Sequence, residues 1–307
     1  MRRAFVAELV EQADRDPSVV LLTGDLGYSV LEPFADRFPD RFFNVGVAEQ
    51  NMLGLAAGLA ANGFTPFAYS IASFASMRGY EFFRNGAVLH QLPVRLVGVG
   101  GGVEYGHNGP THYALEDIAL MRVQPALTIV APADGPQTTA VVRAIAPLTG
   151  PAYLRLGKEA TQLPGLDGRF ELGRVEQISE GSDLAIITYG PIAREAVAAV
   201  ELLKAVGIRA RTIVAACLAP APISDLAAVL DEVPLAITLE DHYTVGGLGS
   251  LVCEVVAEQG LSCRVVRRGI SAMPSGAAGE AKYLYDQYGL SAARIVDAVV
   301  AALAVAK

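Results

Sequence analysis

Glu49 stands in Val45-Gly46-Val47-Ala48-Glu49-Gln50-Asn51-Met52-Leu53, a carboxyl group among uncharged and mostly apolar neighbours. A carboxyl held in an uncharged pocket keeps its proton toward neutrality, where it can hand that proton to a bound partner. The same residue could equally do no more than complement the positive end of a helix. Asp25, in Thr23-Gly24-Asp25-Leu26-Gly27-Tyr28-Ser29, is a second carboxylate, suited to chemistry or to capping the next turn. A third cluster runs from Gly98 to His112 and includes His107 and Asn108. Its glycines could cradle a phosphate, but neither GxGxxG nor GxxxxGK followed by Ser or Thr is present. His107 and His112 lack the further Cys or His that zinc requires, so no metal ligand is assigned to this chain. Phe74, Arg78 and Phe82 share one helical face, a stripe that belongs to a core as readily as to a cofactor.

Short apolar runs alternating with helical stretches must position these groups. Runs such as Val19–Gly24, Phe42–Val47, Phe64–Ile71 and Val94–Val99 read as strands, and the Ala-rich stretch from Glu49 reads as a helix. Such alternation implies doubly wound parallel sheets, which place ligands at the carboxyl ends of their strands. Residues 1–160 form one α/β domain, 161–182 a Gly-, Pro- and charge-rich linker, and 183–307 a second α/β domain. In the second, Glu240-Asp241-His242 and Gly246-Gly247-Leu248-Gly249-Ser250 fall at strand ends.

Of the 307 residues, 52% are apolar and 18% charged, which suits sheets buried on both faces and a large subunit interface. A net charge of −8 without basic runs excludes a nucleic-acid partner gripped by its phosphates. Three cysteines without a CxxC pair fit neither a disulfide framework nor a zinc site. The opening MRRAFVAELVEQ reads as an amphipathic helix and not as a signal peptide, and no apolar stretch is long enough for a membrane span. The expected location is cytoplasmic.

The segments TGDLGYS, FNVGVAEQNMLGLAAGLA, GHNGPTH, VAPADGPQ and LEDHYTVGGLGS, taken together and in this order, resemble the transketolase family over nearly the whole chain. The resemblance implies a pyrimidine-binding domain followed by a transketolase C-terminal domain, with thiamine diphosphate as cofactor. It implies that Glu49 protonates the aminopyrimidine, that Asp25 lies near the cofactor rings and that Phe74 packs on the pyrimidine face. His112 falls on a histidine that hydrogen-bonds the reacting sugar oxygens. Ser29 and Lys158 fall where the family grips a substrate phosphate, with Arg155, Arg78 and Arg3 as further candidates. Several positions depart from the family pattern. Lys158 stands for the usual arginine, Asn108 for an acidic residue that reads the acceptor, Gly100 for a histidine, and Ile71 and Met77 for aromatics. These departures imply a ketose or acceptor other than the usual pentose phosphates.

The chain contains no GDG motif of the kind that binds the diphosphate through Mg²⁺ in full-length members. The resemblance therefore implies a separate diphosphate-binding subunit that supplies the Mg²⁺ ligands, an α2β2 assembly and self-association. The activity implied is transfer of a two-carbon ketol unit from a ketose to an aldehyde. Deoxy-xylulose-phosphate synthase and the beta subunit of 2-oxo-acid dehydrogenases are also similar, and a non-catalytic scaffold subunit is the reading of another class.

Overall fold

The computed structural model describes residues 1–158, 161–274, 276 and 278–305, so the domain boundary expected at 160 falls outside the described residues. The first sheet has seven strands: β1 (Val19–Thr23), β2 (Phe42–Asn44), β3 (Thr65–Ile71), β4 (Arg95–Val99), β5 (Thr128–Val130), β6 (Ala152–Leu156) and, from much later in the chain, β10 (Cys217–Ala219). The second has five: β7 (Glu176–Gln177), β8 (Leu184–Thr188), β9 (Ala210–Val214), β11 (Leu235–Tyr243) and β12 (Arg264–Ile270). β1, β4, β6, β8 and β9 are buried along their whole length, as apolar runs flanked by helices on both faces must be.

Strand order in the first sheet is β10-β5-β6-β4-β3-β1-β2, parallel except for β10 against β5. The chain leaves β1 toward β2 on one side and returns to β3 on the other, so the crevice between the carboxyl ends of β1 and β3 is a topological switch point. The second sheet, β12-β11-β8-β9-β7, has its switch point between β8 and β11.

One sequence expectation needs correction. Phe42–Val47 is not a buried strand: only Phe42–Asn44 pairs, at the sheet edge, and Phe43 is exposed. The two domains interlock, because β10 from the second half completes the first sheet. Ala131 donates to the Ala216 carbonyl at 2.7 Å and Tyr243 to the Leu115 carbonyl at 2.9 Å, so backbone hydrogen bonds also cross the interface. The linker 161–182 is itself packed: Leu163 and Leu166 are buried, and the Asp134 carboxylate accepts from the Leu163 amide at 2.8 Å. Its polar composition reflects turns held by side chains. Among the described residues, no helix is long and apolar enough to cross a membrane.

Candidate active site

Glu49 opens the helix Glu49–Ala61 that follows β2, and its side chain turns inward over the switch point. It is only 1% exposed. Ser70, near the end of β3, donates to Oε1 at 3.0 Å, and Arg78 donates to Oε2 at 2.8 Å. Gly24, just beyond β1, brings its backbone so close that an added Cβ would lie 3.5 Å from Oε1. The uncharged pocket expected from the neighbouring sequence is therefore corrected. Local neighbours are apolar, but a guanidinium from 29 residues downstream closes the pocket.

That guanidinium comes from the next helical segment, Phe74–Val88, in which wide π turns at Phe74–Arg78 and Phe83–Val88 flank the short helix Tyr80–Phe82. π turns recur at functional sites because the extra residue per turn re-aims side chains. Gly79 lets this segment lie against Glu49: an added Cβ would stand 3.2 Å from the Glu49 carbonyl oxygen. The Arg78 Cζ lies 4.3 Å from the centre of the Phe74 ring, and His112 meets that ring edge-on at 5.0 Å. His112 lies 6.3 Å from Tyr105, whose ring carries the Lys158 ammonium at 4.3 Å. Glu49, Arg78, Phe74, His112, Tyr105 and Lys158 thus form one unbroken line. Ser70 and Tyr105 carried no sequence signal beyond their places at a strand end and in the glycine-rich loop. Asn108 is exposed in the same loop as His112.

Asp25 is exposed at the rim, in the left-handed region at φ 60°. Its carboxylate accepts from Asn44 Nδ2 and from the Tyr28 hydroxyl, both at 2.9 Å, and these bonds hold it below the usual carboxylate range. Ser29, also left-handed at φ 63°, lies on the far side of this turn. Together with Met1, Arg2, Arg3, Tyr28 and Lys158 it lines a cavity of about 360 Å³. Arg2 adds a second guanidinium to that lining, with its Nε buried and without a hydrogen-bond partner. The structure brings Ser29, Lys158 and Arg3 together as the resemblance implied and adds Arg2.

Arg155 is a correction. It is buried, with Nε donating to Asp117 Oδ2 at 2.9 Å and Nη2 to the carbonyls of Ala114 and Asp241 at 3.0 and 2.7 Å. It lies enclosed between the domains, away from the cavity that Ser29 and Lys158 line. It also explains the glycines beyond β4: a Cβ on Gly101 would stand 2.2 Å from Arg155 Nε, and one on Gly102 1.9 Å from the Asp241 carboxyl. The glycine-rich loop is a close domain contact and not a phosphate cradle. Arg78 is likewise redirected from substrate to Glu49.

The second domain's own switch point is filled. Asp241 accepts from the Val103 amide at 3.2 and 3.1 Å and from the Tyr285 hydroxyl at 3.0 Å. Burial pushes its carboxyl up to about 6. Glu240 accepts from the amides of Leu248 and Gly249 at 2.8 and 2.9 Å, capping the helix Leu248–Gln259, and burial pushes it up to about 7. His242 donates Nδ1–H to the Tyr243 carbonyl at 2.7 Å and accepts the Ala119 amide on Nε2 at 3.3 Å, an assignment both partners require. Burial lowers it to about 4. The Glu240-Asp241-His242 cluster thus locks the domains together.

A family model described as the pyrimidine-binding domain of transketolase matches residues 1–164, and one described as the transketolase C-terminal domain matches 173–295. A Methanocaldococcus jannaschii protein named as a transketolase C-terminal section is 38% identical, covering 97% of this chain and 95% of its own length. One of the subunits of an apulose-4-phosphate transketolase from Phocaeicola vulgatus is 34% identical over 86% of each chain. A 6-deoxy-6-sulfo-D-fructose transketolase subunit of Clostridium sp. MSTE9 is 34% identical, covering 97% of this chain and 92% of its own. Among solved structures, a split-gene transketolase described as an inactive beta4 tetramer superposes with a TM-score of 0.88 at 38% identity, covering 99% of this chain and 97% of that one. Strand order, a buried glutamate over the switch point and these matches along both domains agree, and the chain belongs to the transketolase family.

Proposed function

We propose that this chain is the beta-type subunit of a two-component transketolase that moves a two-carbon ketol unit from an anionic ketose to an aldehyde. The observation that carries the reading is Glu49, buried over the switch point with an aromatic ring and a histidine in line beside it. The site fits the pyrimidine side of thiamine diphosphate: a hydrogen-bonding carboxyl, an aromatic face and an exposed carboxylate at the rim. When bound, the cofactor supplies the carbon nucleophile of the reaction.

Glu49, oriented by Ser70, holds a proton at the pyrimidine ring nitrogen. Phe74 stacks on the ring, and Asp25 binds it from the rim. His112, with Nδ1 3.0 Å from the Thr111 hydroxyl, hydrogen-bonds the reacting oxygens of the substrate and moves a proton there. Asn108 lies in the same loop and meets the acceptor. Ser29, Lys158, Arg2 and Arg3 take the anionic end of the sugar in their shared cavity. Phosphate and sulfonate sugars are the substrates named for two of the relatives.

The diphosphate and its Mg²⁺ belong, in this reading, to a separate subunit in an α2β2 assembly. Support comes from relatives of the same length that are named as sections or subunits. The surface beside Glu49 adds to it: Val47, Leu55, Met77 and Phe82 are exposed, at 71, 39, 42 and 42%. An apolar surface at the mouth of a site is suited to a protein partner. The test is reconstitution with the diphosphate-binding subunit, following ketol transfer from phosphate- and sulfonate-ended ketoses. Activity should require both chains and Mg²⁺, and Glu49→Gln should lower turnover by at least about 100-fold. Full activity of the Gln variant would refute the assignment.

A further inference from the structure

The line from Glu49 to His112 contains one group that the proposed function leaves without a task. Arg78 donates to Glu49 Oε2 at 2.8 Å while its Cζ lies 4.3 Å over Phe74. A guanidinium that lies over an aromatic ring and donates to a buried carboxylate occupies both of the partners an aminopyrimidine would use there. Guanidinium and ring cannot both lie on that face of Phe74, since each needs van der Waals contact with it. We propose that Arg78 is a displaceable occupant of the ring seat between Glu49 and Phe74, a latch that turns outward when an aminopyrimidine enters. The proposal rests on the reading that Glu49 and Phe74 hold the ring.

The surroundings favour movement of Arg78 and not of its partners. Its side chain is 42% exposed, whereas Glu49 is 1% exposed and fixed by Ser70. It ends the π turn Phe74–Arg78, directly before Gly79, with much of its length already in solvent. Leaving removes the cation from a buried carboxyl, which then carries a proton and donates it to the acceptor nitrogen of the incoming ring. Glu49 thus exchanges an ion pair with Arg78 for a shared proton with the ring, so neither arrangement leaves an unpaired buried charge.

Occupation by the chain's own side chain lowers apparent affinity by the fraction of molecules in which the seat is open. The intact chain, with thiamine as a probe that carries the ring but no diphosphate, should bind about tenfold more tightly as Arg78→Ala than as wild type, if roughly one molecule in ten is open. Titration calorimetry reads this directly. Equal or weaker binding by the variant, or no binding by either, overturns the latch. A second measurement needs no variant fold: the Arg78 Nε–H resonance of the wild-type chain should shift when thiamine is added, and an unmoved resonance also overturns it. Glu49→Gln and Phe74→Ala separate the two readings. If both weaken thiamine binding while Arg78→Ala changes nothing, the latch alone fails. If neither weakens it, the ring lies elsewhere and the proposed site fails with the latch.

Discussion

Arg155 and Lys158, three residues apart at the end of β6, show how little residue type says about role. Side chains alternate along a strand, so Arg155 points between the domains and Lys158, beyond the strand end, reaches the rim cavity. Removing them should therefore have opposite signatures. Arg155→Leu leaves Asp117, with no exposed surface, without its cation, and denaturant unfolding should show a loss of about 3–5 kcal/mol. Lys158→Ala should leave the unfolding midpoint nearly unchanged. In the reconstituted enzyme it should raise KM for anionic ketoses about tenfold, with kcat little altered, because it removes a contact made equally to substrate and transition state. A destabilised lysine variant, or an arginine variant of full stability and raised KM, would reverse these roles.

At the scale of elements, the loop after β4 is shaped by what it touches. Gly102 sits at φ 62° with the Asp241 carboxyl where its Cβ would be, so any side chain meets both a strained backbone and a buried charge. Gly102→Ala should cost about 2–4 kcal/mol, read as a fall in the denaturant midpoint, by combining left-handed strain with displacement of Asp241. An unchanged midpoint would show that the domains have room to separate at this contact. Because the same loop carries His112 further along, that variant should also lose turnover in the reconstituted enzyme. The helix Glu49–Ala61 works differently: buried Met52, Leu53, Ala56 and Ala60 hold one face to the sheet, and its first residue is placed by that packing.

For the whole molecule, the buried groups at the domain junction make stability depend on pH. Desolvation raises half-buried Glu104, whose carboxylate accepts from the Lys158 amide, and buried Glu240 to about 7, and buried Asp241 to about 6. A carboxyl raised on folding stabilises below its unfolded value, and that contribution is lost as pH rises through the folded value. These three therefore withdraw stability between about pH 4 and 7. His242, lowered to about 4, has the opposite sign, its contribution being present above 6.5 and lost as pH falls toward 4. Three groups against one leave a net loss with rising pH. The thermal midpoint should be roughly 5 °C lower at pH 8 than at pH 5.5, and Asp241→Asn should flatten that difference. A midpoint that rises toward pH 8 would mean that these carboxyls are not buried as described.

The sequence by itself determined the strands, the helices between them and the groups at their carboxyl ends, because apolar periodicity and strand-end placement are local properties. Glu49, Asp25, Phe74, His112 and Ser29 fall in clusters that stand out in that way, whereas Lys158, and the roles of most of the others, came only through the family resemblance. Tertiary structure alone decided which charges meet. Arg78 lies 29 residues from Glu49, and Asp241 lies 138 residues from Val103, separations across which no periodicity carries information. It also decided that β10 would complete the other half's sheet and that the glycines after β4 serve a domain contact. Pairing between distant segments is set by the register of packed layers, and that register exists only once the chain has folded.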